Sequence, residues 1–354
     1  MGDIIVQKYG GSSVATTEKI ITIAKRLIER KKTNPKIVVV VSAMGDTTDD
    51  YISLAKEITD TPDKRELDVL MSTGEMISAS LLAMSLKSMG CDAISYNAYQ
   101  LDIQTSGTHG KSLIDDIDVS KIEKSLDEGK IVVVTGFQGL DDIGDITTLG
   151  RGGSDTSAVA LAVKLNGKCE IYTDVDGIYF TDPRKFKDAK KLEEIEYEEM
   201  LELASLGAQV MHSRSIELAQ KYQIELYVGL SCSDIKGTYI RGMKNMKLED
   251  KVITGLATSD DDVAITIDID EEKIVDLFES IANENISMDM ISQTAPINSS
   301  NITVSFTIPK EDLVKAKEIV SKYVLKNKII IDENITKLSL VGLGMKHTSG
   351  VASK

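Results

Sequence analysis

The sequence has few cysteines and few histidines, and this narrows the chemistry that it can support. Cys91, Cys169 and Cys232 are odd in number and lie far apart. They fit neither a disulfide framework nor a paired-cysteine metal site, and we interpret them as reduced thiols that are mostly buried. The three histidines are too scattered to suggest metal ligation or a Ser-His-Asp arrangement. The sequence therefore supports neither a hydrolase nor a dedicated protein metal site.

Positive charge and long apolar runs are also scarce. Lys and Arg number 41 against 56 Asp and Glu, so the net charge is −15. Affinity for nucleic acid is built from neutralisation of phosphates by Lys and Arg, so we predict no nucleic-acid partner, although a local basic pocket stays open. The longest apolar runs, such as 37–41, are strand-sized, whereas a membrane helix needs about 20 residues. Gly2 and Asp3 stand where a signal peptide carries basic residues, and we expect a cytoplasmic protein without a membrane partner.

The length of 354 residues, 42% of them hydrophobic, is enough for two or three folded cores. Up to about residue 229, short β-branched runs alternate with amphipathic helical segments such as 17–31. This alternation predicts an α/β domain with a mainly parallel sheet that helices cover on both faces. The predicted strands span 4–9, 36–42, 92–96, 130–135, 169–173 and 224–228.

The last third of the sequence predicts a smaller domain of another topology. Its expected elements are a strand at 263–269, a helix at 271–283, strands at 286–292 and 301–308, a helix at 310–324 and a strand at 329–331. This βαββαβ order predicts a ferredoxin-like antiparallel sheet with both helices on one face. A further strand at 337–343 cannot bury its apolar face alone, so either the chain is cut short or disordered beyond it, or the strand pairs with another unit.

Two glycine-rich loops carry groups that bind anions. Residues 8–12, KYGGS, follow the first strand and precede a helix, so a lysine charge and backbone N–H groups would face a ligand; a plain tight turn also explains this pattern. Segment 144–155 combines glycines with Arg151, Ser154 and Asp155 at a predicted helix start. Arg151 would clamp a carboxylate through two parallel hydrogen bonds. A plain loop leaves Arg151 unexplained, so here we predict anion binding.

A third loop, 173–184, packs acids, hydroxyls, an aromatic and an arginine after a predicted strand. Loops at the carboxyl ends of parallel strands are where α/β proteins bind ligands, but for this loop taken alone a solvated acidic turn is the better explanation.

The familiar nucleotide motifs are missing. Asp155 stands where the third glycine of GxGxxG would be, and neither the HRD nor the DFG signature of protein kinases occurs.

Together these segments resemble the signatures of aspartate kinases. KYGGSSV resembles the KFGGTSV opening of that family, and GDITTLGRGGSDTSA, IYTDVDGIYFTDPR and RELDVLMSTGE resemble its other motifs, so that the resemblance covers residues 4–214. The βαββαβ unit resembles the ACT regulatory domain of the same enzymes. The resemblance implies a catalytic amino acid kinase domain at 1–245, an ACT domain at 255–335 and the start of an incomplete second ACT unit at 336–354. Glutamate 5-kinase, acetylglutamate kinase and uridylate kinase share the ancestral fold, but this combination favours aspartate kinase.

The implied reaction transfers a phosphoryl group from ATP to the β-carboxylate of L-aspartate, giving 4-phospho-L-aspartate for lysine, threonine and methionine synthesis. That carboxylate is already ionised at pH 7 and needs no general base, so the difficulty lies in bringing two anions together. Cations and backbone dipoles would do most of the catalysis. Mg²⁺ would bridge the phosphates and rely on substrate oxygens rather than on a protein cage.

The resemblance also implies roles for individual residues. Catalytic roles fall on Lys8, which would contact the β- and γ-phosphates, on Arg151 and on Asp155. The ATP-binding positions are Lys8, Gly10, Gly11, Ser12, Ser42, Thr173, Asp174, Tyr179, Arg184 and Gln209. The aspartate-binding positions are Thr47, Glu75, Phe137, Arg151, Gly152 and Ser154. Glu75 would pair with the substrate ammonium and Arg151 with its α-carboxylate. Many aspartate kinases carry lysine where Gln209 stands, which puts the affinity for ATP in doubt.

Segment 285–293 resembles the part of an ACT domain that receives an amino-acid effector. Ser287, Met288 and Asp289 are the predicted contacts, with lysine as the first expected effector and threonine as the second, in a homodimer or a dimer of dimers. Alternatively, Met288 and Met290 are ordinary alternating strand residues and Asp289 is merely solvated.

Two other functions stay open at this point. A related kinase could act on another acidic substrate, but an N-acetylated acid would not need the anion at Glu75. A catalytically weak amino-acid sensor would use the kinase domain as a scaffold. Gln209 and the abbreviated last unit favour the sensor, whereas Lys8, Arg151 and Asp155 speak against it.

Overall fold

The computed structural model describes residues 4–206, 210–242, 253–284, 286–294 and 301–342. These residues form two compact units. One comprises the described residues up to Gly255 together with those from Val341 on, and the other spans Leu256–Leu340. Each unit has a hydrophobic core of its own. The units show where packing divides the chain; the functional domain limits at 245, 255 and 335 stay predictions.

The first unit alternates strands with helices along most of its length. Its strands are β1 Ile5–Tyr9, β2 Ile37–Val41, β3 Ala93–Tyr96, β4 Ile103–Ser106, β5 Leu113–Ile117, β6 Ile131–Thr135, β7 Gln138–Leu140, β8 Ile146–Thr148, β9 Lys168–Thr173, β10 Glu194–Ile195, β11 Leu226–Leu230 and β12 Thr238–Ile240. Its helices are α1 Thr17–Lys31, α2 Thr47–Ile58, α3 Lys64–Ser88, α4 Ser120–Asp127, α5 Gly153–Lys164, α6 Tyr197–Ser205 and α7 Ser213–Tyr222. A single 3₁₀ turn, Gly11–Ser13, follows β1.

Eight of these strands form one sheet, in the order β10-β12-β11-β9-β1-β2-β6-β3. Strand β1 lies at its centre, parallel to β2 and β9, and β12 runs antiparallel to β11. Every residue of β2 and β6 is buried, because α1 and α3 pack on one side of the sheet and α5 packs against β1, β2 and β9. The predicted mainly parallel α/β sheet is confirmed.

Helix α3 is the longest described helix, and it carries polar groups into the interior. Asp68, Ser72, Glu75 and Ser78 recur every three or four residues and are all buried, so one stripe of the helix places them side by side. By length and composition α3 is the one described helix that could cross a membrane, yet half of its apolar window is buried inside the unit. A core helix passes the same test.

A second sheet in the first unit was not predicted from the sequence. It has the order β5-β4-β7-β8. Its strands are three to five residues long and include the polar segments QGL and ITT, so they show no usable period-2 pattern. Strand β8 ends at Thr148, directly before the predicted anion-binding turn.

The second unit confirms the predicted ferredoxin-like βαββαβ arrangement. Its elements are β14 Asp262–Asp270, α8 Ile274–Asn283, β15 Asp289–Thr294, β16 Asn301–Pro309, α9 Leu313–Tyr323 and β17 Ile329–Asp332, with 3₁₀ turns at Glu271–Lys273, Lys310–Asp312 and Lys326–Lys328. The sheet order is β15-β16-β14-β17, and all its pairs are antiparallel. Both helices pack against the buried face of this sheet.

Two strands differ from expectation. The strand predicted at 286–292 is found at Asp289–Thr294, and its pairing with β16 shifts register between Asp289 and Ser292. Met290 takes a φ of 33° there, so the simple alternation expected for Met288 and Met290 is broken by a bulge. The strand predicted at 337–343 is β18, Lys337–Val341, and it pairs with β13, Gly255–Ser259. The sequence after this strand, Gly350-Val351-Ala352, also predicts the opening of a helix, and it lies outside the described residues.

Candidate active site

A cavity opens at the carboxyl ends of the central parallel strands, where three loops meet. The loop after β1, the loop after β2 and the turn before α5 all contribute to it. It is lined by Lys8, Gly11, Ser42, Ala43, Gly45, Thr48, Glu75, Phe137, Gly150, Arg151, Gly152, Gly153, Ser154 and Asp155. The structure thus brings nine of the predicted site residues into one cavity although they are spread over nearly 150 positions: Lys8, Gly11, Ser42, Glu75, Phe137, Arg151, Gly152, Ser154 and Asp155.

Lys8 supplies a cation at the floor of this cavity. Its Nζ lies 2.6 Å from Oδ1 of Asp155, and both side chains are only 11% exposed. Neighbouring residues of a strand point to opposite faces, and Gln7 and Tyr9 hydrogen-bond to each other away from the Lys8 side. Asp155 lies in the first turn of α5. Strand and helix therefore hold the ion pair rigidly where a phosphate group can reach the lysine.

The glycine loop after β1 packs against the loop after β2. A Cβ atom on Gly11 would lie 2.9 Å from the carbonyl oxygen of Gly45 and 3.0 Å from that of Ala43. The N–H of Gly45 also donates to the carbonyl of Gly11 at 3.0 Å. Only glycine fits at position 11 without a shift of these loops, so the two loops can pack closely beside the cavity.

The turn that carries Arg151 depends on two glycines with positive φ. Gly150 has φ +75° and Gly152 has φ +68°, and a Cβ on Gly152 would lie 2.2 Å from Cβ of His212. Arg151 between them is exposed. Across the described residues, no hydrogen bond or ion pair engages its guanidinium. Its fork of donors is free to take a carboxylate.

Glu75 is a buried carboxyl group that the protein satisfies only in part. Glu75 is only 2% exposed. Its Oε1 accepts a hydrogen bond from the N–H of Ala43 at 3.0 Å. Its Oε2 has no partner among the described residues. Burial raises the pKa of Glu75 from its ordinary value of 4.5 to about 8. A cationic ligand group in the cavity would relieve this loss of hydration.

Phe137 is strained where it lines the cavity. Its φ is +71°, which is uncommon for a bulky residue. The backbone N–H donates to Oγ of Ser157 at 3.0 Å, and its carbonyl accepts from the N–H of Leu149 at 2.9 Å. Both bonds tie Phe137 to α5 and to the Arg151 turn, so the surrounding structure maintains the strain.

Six described residues with predicted ATP-binding roles are absent from the lining of this cavity: Gly10, Ser12, Thr173, Asp174, Tyr179 and Arg184. Gly10 donates its N–H to the carbonyl of Tyr172 at 3.2 Å, so the loop that begins at Thr173 starts beside the glycine loop. In that loop Thr173 hydrogen-bonds to Asp174, Tyr179 to Asp176, and Arg184 to Asp182. Ser12 uses its carbonyl to accept from Lys19. Gln209 lies outside the described residues. The ATP-binding roles of this group stay predictions.

Thr48 and not Thr47 faces the cavity. Thr47 turns its hydroxyl toward the carbonyl of Met44 at the start of α2, and the next residue then lines the wall. The sequence contains two adjacent threonines, and only the helix start decides which one points inward.

Ala43, Gly45, Gly150 and Gly153 also line the cavity without having been assigned a role. They contribute backbone, which no side-chain pattern marks.

One group of possible metal ligands lies elsewhere, at His109, Asp141 and Asp145. Its members already have partners: His109 lies 2.9 Å from Asp68, and Asp145 lies 2.7 Å from Arg65. None of the three lines the cavity. We assign no metal to this group.

Comparison with known proteins agrees with this architecture. A sequence model of the amino acid kinase family matches residues 3–229, and a model of an ACT domain matches residues 275–323. Aspartokinase of Geobacillus stearothermophilus is 45% identical over 99% of this chain and 86% of that protein. Aspartokinase 2 of Bacillus subtilis is 44% identical over 99% of this chain and 87% of that protein.

Solved structures show the same relationship. Aspartate kinase from Synechocystis is 39% identical, with a TM-score of 0.61 over 99% of this chain and 62% of that one. E. coli aspartokinase III, solved in complex with aspartate and ADP, has a TM-score of 0.80 over 99% and 90% of the two chains at 24% identity, which shows the fold.

Fold and cavity thus define an amino acid kinase that carries an ACT region. Within that class, the chain belongs to the aspartokinases, the kinases that phosphorylate aspartate. The predicted family, fold class and enzyme class are confirmed.

Proposed function

We propose that the cavity binds L-aspartate between Glu75 and Arg151 and places its β-carboxylate toward the γ-phosphate of ATP above Lys8. The observation that carries this proposal is a pair of groups in one cavity that the described residues leave unsatisfied: the buried, half-satisfied carboxyl of Glu75 and the guanidinium of Arg151. A zwitterionic amino acid offers an ammonium to the first and an α-carboxylate to the second. Opposite charges at fixed separation select such a substrate and orient it.

Lys8 and the backbone of the glycine loops then stabilise the transferring phosphoryl group. The carboxylate of aspartate is the nucleophile and is already ionised, so no side chain needs to remove a proton. Catalysis comes from positioning and from charge stabilisation. Asp155 holds the Lys8 ammonium in place at 2.6 Å. The product is 4-phospho-L-aspartate, which enters the synthesis of lysine, threonine and methionine.

The cavity fits ATP that arrives with Mg²⁺. The lining residues with oxygen-bearing side chains are Ser42, Thr48, Ser154, Asp155 and Glu75, and we assign the carboxyl of Glu75 to the substrate ammonium. The one carboxylate that remains, together with several hydroxyls, suits a cation that keeps water molecules and relies on phosphate oxygens. Asp155 is the side chain that would hold it, and Mg²⁺ would neutralise charge on the phosphates.

We also propose that the second unit binds an amino-acid effector at Asp289, with lysine favoured over threonine. Asp289 is 56% exposed as a side chain, and its Oδ2 lies 2.7 Å from the Lys337 ammonium. That contact supports the proposal because it shows a carboxylate disposed to receive an ammonium group. Ser287 beside it is exposed and Met288 half-buried, so both are accessible to a ligand.

Assembly and location are further parts of the proposal. Strand β15 is an edge strand that is exposed over its whole length, which supports pairing with a second chain in a homodimer or a dimer of dimers. Light scattering at two protein concentrations tests this. The three cysteines are free thiols, which is consistent with a reducing compartment such as the cytoplasm.

The decisive experiment measures ATP turnover with hydroxylamine present to trap the acyl phosphate. Aspartate, glutamate and N-acetylglutamate are supplied in turn, each with and without lysine or threonine. Hydroxamate from aspartate alone is the expected result, with turnover lowered by lysine. Equal product from glutamate would contradict the substrate assignment, and inhibition by threonine alone would replace lysine as the effector.

A further inference from the structure

The turn that carries Arg151 is anchored to helix α3 by Asp68, a residue for which the reaction itself has no use. Asp68 is fully buried. Its Oδ2 accepts from the N–H of Gly110 at 2.9 Å and from the N–H of Thr148 at 3.1 Å, and it lies 2.9 Å from Nδ1 of His109. Its Oδ1 accepts from the Thr148 hydroxyl at 2.6 Å. Four donors thus converge on one carboxylate.

The position of Thr148 makes this cluster important for the cavity. Thr148 is the last residue of β8 and stands three positions before Arg151. Beneath the turn, the carbonyl oxygen of Gly110 would lie only 2.7 Å from a Cβ on Gly150. Asp68 therefore holds both layers that support the Arg151 turn: the end of β8 and the loop around Gly110.

Helix α3 connects this anchor to Glu75. Asp68 and Glu75 are seven residues apart, two helical turns, and both are buried, so they lie on the same face of the helix. One rigid helix thus carries the carboxylate that receives the substrate ammonium and the carboxylate that anchors the turn of the α-carboxylate clamp.

We propose that Asp68 is a positioning residue for aspartate recognition, which fixes the distance between Glu75 and Arg151 without touching the substrate. This inference rests on the proposed binding of aspartate by Glu75 and Arg151. A second restraint acts on the same turn from α7: Arg214 donates to the carbonyls of Leu149 at 2.8 Å and Ser112 at 2.7 Å.

The test compares Asp68→Ala with Asp68→Asn. The Ala variant removes all four contacts. We expect the KM for aspartate to rise about 10- to 100-fold, because a displaced Arg151 no longer meets the α-carboxylate in the right geometry. The KM for ATP should change by about threefold or less. The Asn variant can keep the contacts, since its carbonyl oxygen can accept at the Oδ2 position and its amide can donate to the Thr148 hydroxyl. We expect it to restore the KM for aspartate to near that of the unmodified enzyme.

Arg65→Gln is the matched control. Arg65 links helix α3 to Asp145, the residue before β8, at 2.7 Å. Its side chain is 42% exposed, unlike the buried Asp68. Exposed pairs contribute little, so we expect a KM change of about twofold or less. If Asp68→Ala does not fold, as judged by circular dichroism and thermal unfolding, Thr148→Val removes one contact at constant shape and should shift the KM for aspartate in the same direction.

The Arg151→Ala background separates the possible failures. If Asp68 acts through Arg151, then Asp68→Ala adds no further rise in the KM for aspartate in that background. Equal effects of Asp68→Ala on both substrates, or an Asn variant as impaired as the Ala variant, would overturn the positioning role. Should Arg151→Ala itself leave the KM for aspartate unchanged, the proposed substrate site is wrong instead.

Discussion

Two turns of helix α3 separate two buried carboxyl groups that the protein treats in opposite ways. Around Asp68 the structure supplies four hydrogen-bond donors. Around Glu75 it supplies one and leaves Oε2 without a partner in the described parts of the chain. Both groups are at most 2% exposed, so burial alone does not distinguish them. The difference lies in hydrogen bonding.

This contrast separates a structural role from a binding role. A buried carboxylate with a full set of donors stabilises the loops that it joins. A buried carboxyl left half satisfied lowers stability, and it is tolerated where a ligand completes it. The cavity lies at Glu75 and not at Asp68. The unsatisfied group therefore points to substrate binding, and the satisfied one to support.

The largest loss of activity is expected from a substitution of Lys8, which lines the same cavity as Glu75. Lys8→Ala removes the cation proposed for the transferring phosphoryl group, and kcat should fall by about 100- to 1,000-fold, as when a transition-state charge loses its donor. Steady-state kinetics measures this. Circular dichroism should show an intact fold, and turnover close to that of the unmodified enzyme would remove Lys8 from the mechanism.

Glu75→Gln should weaken substrate binding without lowering stability, unlike a substitution of Asp68. The amide keeps the bond from Ala43 but cannot pair with an ammonium, so we expect the KM for aspartate to rise by about 100-fold or more while the KM for ATP changes little. The same variant should unfold at a higher temperature at pH 8, because no carboxylate has to be buried. Asp68→Ala should unfold at a lower temperature. A less stable Glu75→Gln variant would contradict the comparison.

The pH dependence of aspartate binding should follow Glu75. Since its pKa is raised to about 8, the empty site holds mostly the neutral acid at pH 7, and binding an ammonium requires loss of that proton. The KM for aspartate should therefore fall about tenfold per unit as pH rises toward 8 and then level off. Glu75→Gln should abolish this dependence. A flat profile in the unmodified enzyme would show that Glu75 is ionised before binding.

Folding stability should change with pH in the opposite direction to aspartate binding. The folded-state pKa of Glu75 lies above its ordinary value of 4.5, so the folded protein holds this proton more tightly than the unfolded chain does. The contribution is fully present below pH 4.5 and is lost as pH rises to about 8. The difference in melting temperature between Glu75→Gln and the unmodified enzyme should therefore widen from pH 5 to pH 8.

The smallest effect is expected in the second unit, where a carboxylate is exposed. Lys337 lowers the pKa of Asp289 through a direct hydrogen bond. Asp289→Asn should raise the concentration of lysine needed for half inhibition by about fivefold or more, with kcat unchanged in the absence of effector. Inhibition curves measure this, and threonine serves as the parallel effector. An unchanged curve for both amino acids would remove Asp289 from the effector site.

Much of the fold could be predicted from the sequence because its main strands are buried on both faces. The runs at 37–41 and 131–134 are continuously apolar, and the predicted strands at 36–42 and 130–135 agree with β2 and β6 to within one residue. The second sheet was missed, since its strands are short and polar and form only by pairing with segments distant in the chain. Strand β15 begins three residues and ends two residues later than predicted, and its pairing with β16 shifts register between Asp289 and Ser292, which side-chain alternation along the sequence does not reveal.

The sequence by itself determined which chemistry the cavity can hold. Lys8, Arg151, Glu75 and the glycines of the loops are present as residue types, and local pattern and resemblance identified them. Tertiary structure alone decided that Thr48 faces the cavity, that Oε2 of Glu75 finds no partner among the described residues and that Asp68 has four donors. Local pattern depends on neighbours in the chain, whereas the hydrogen bonding and hydration of a buried carboxyl depend on groups brought from many positions away.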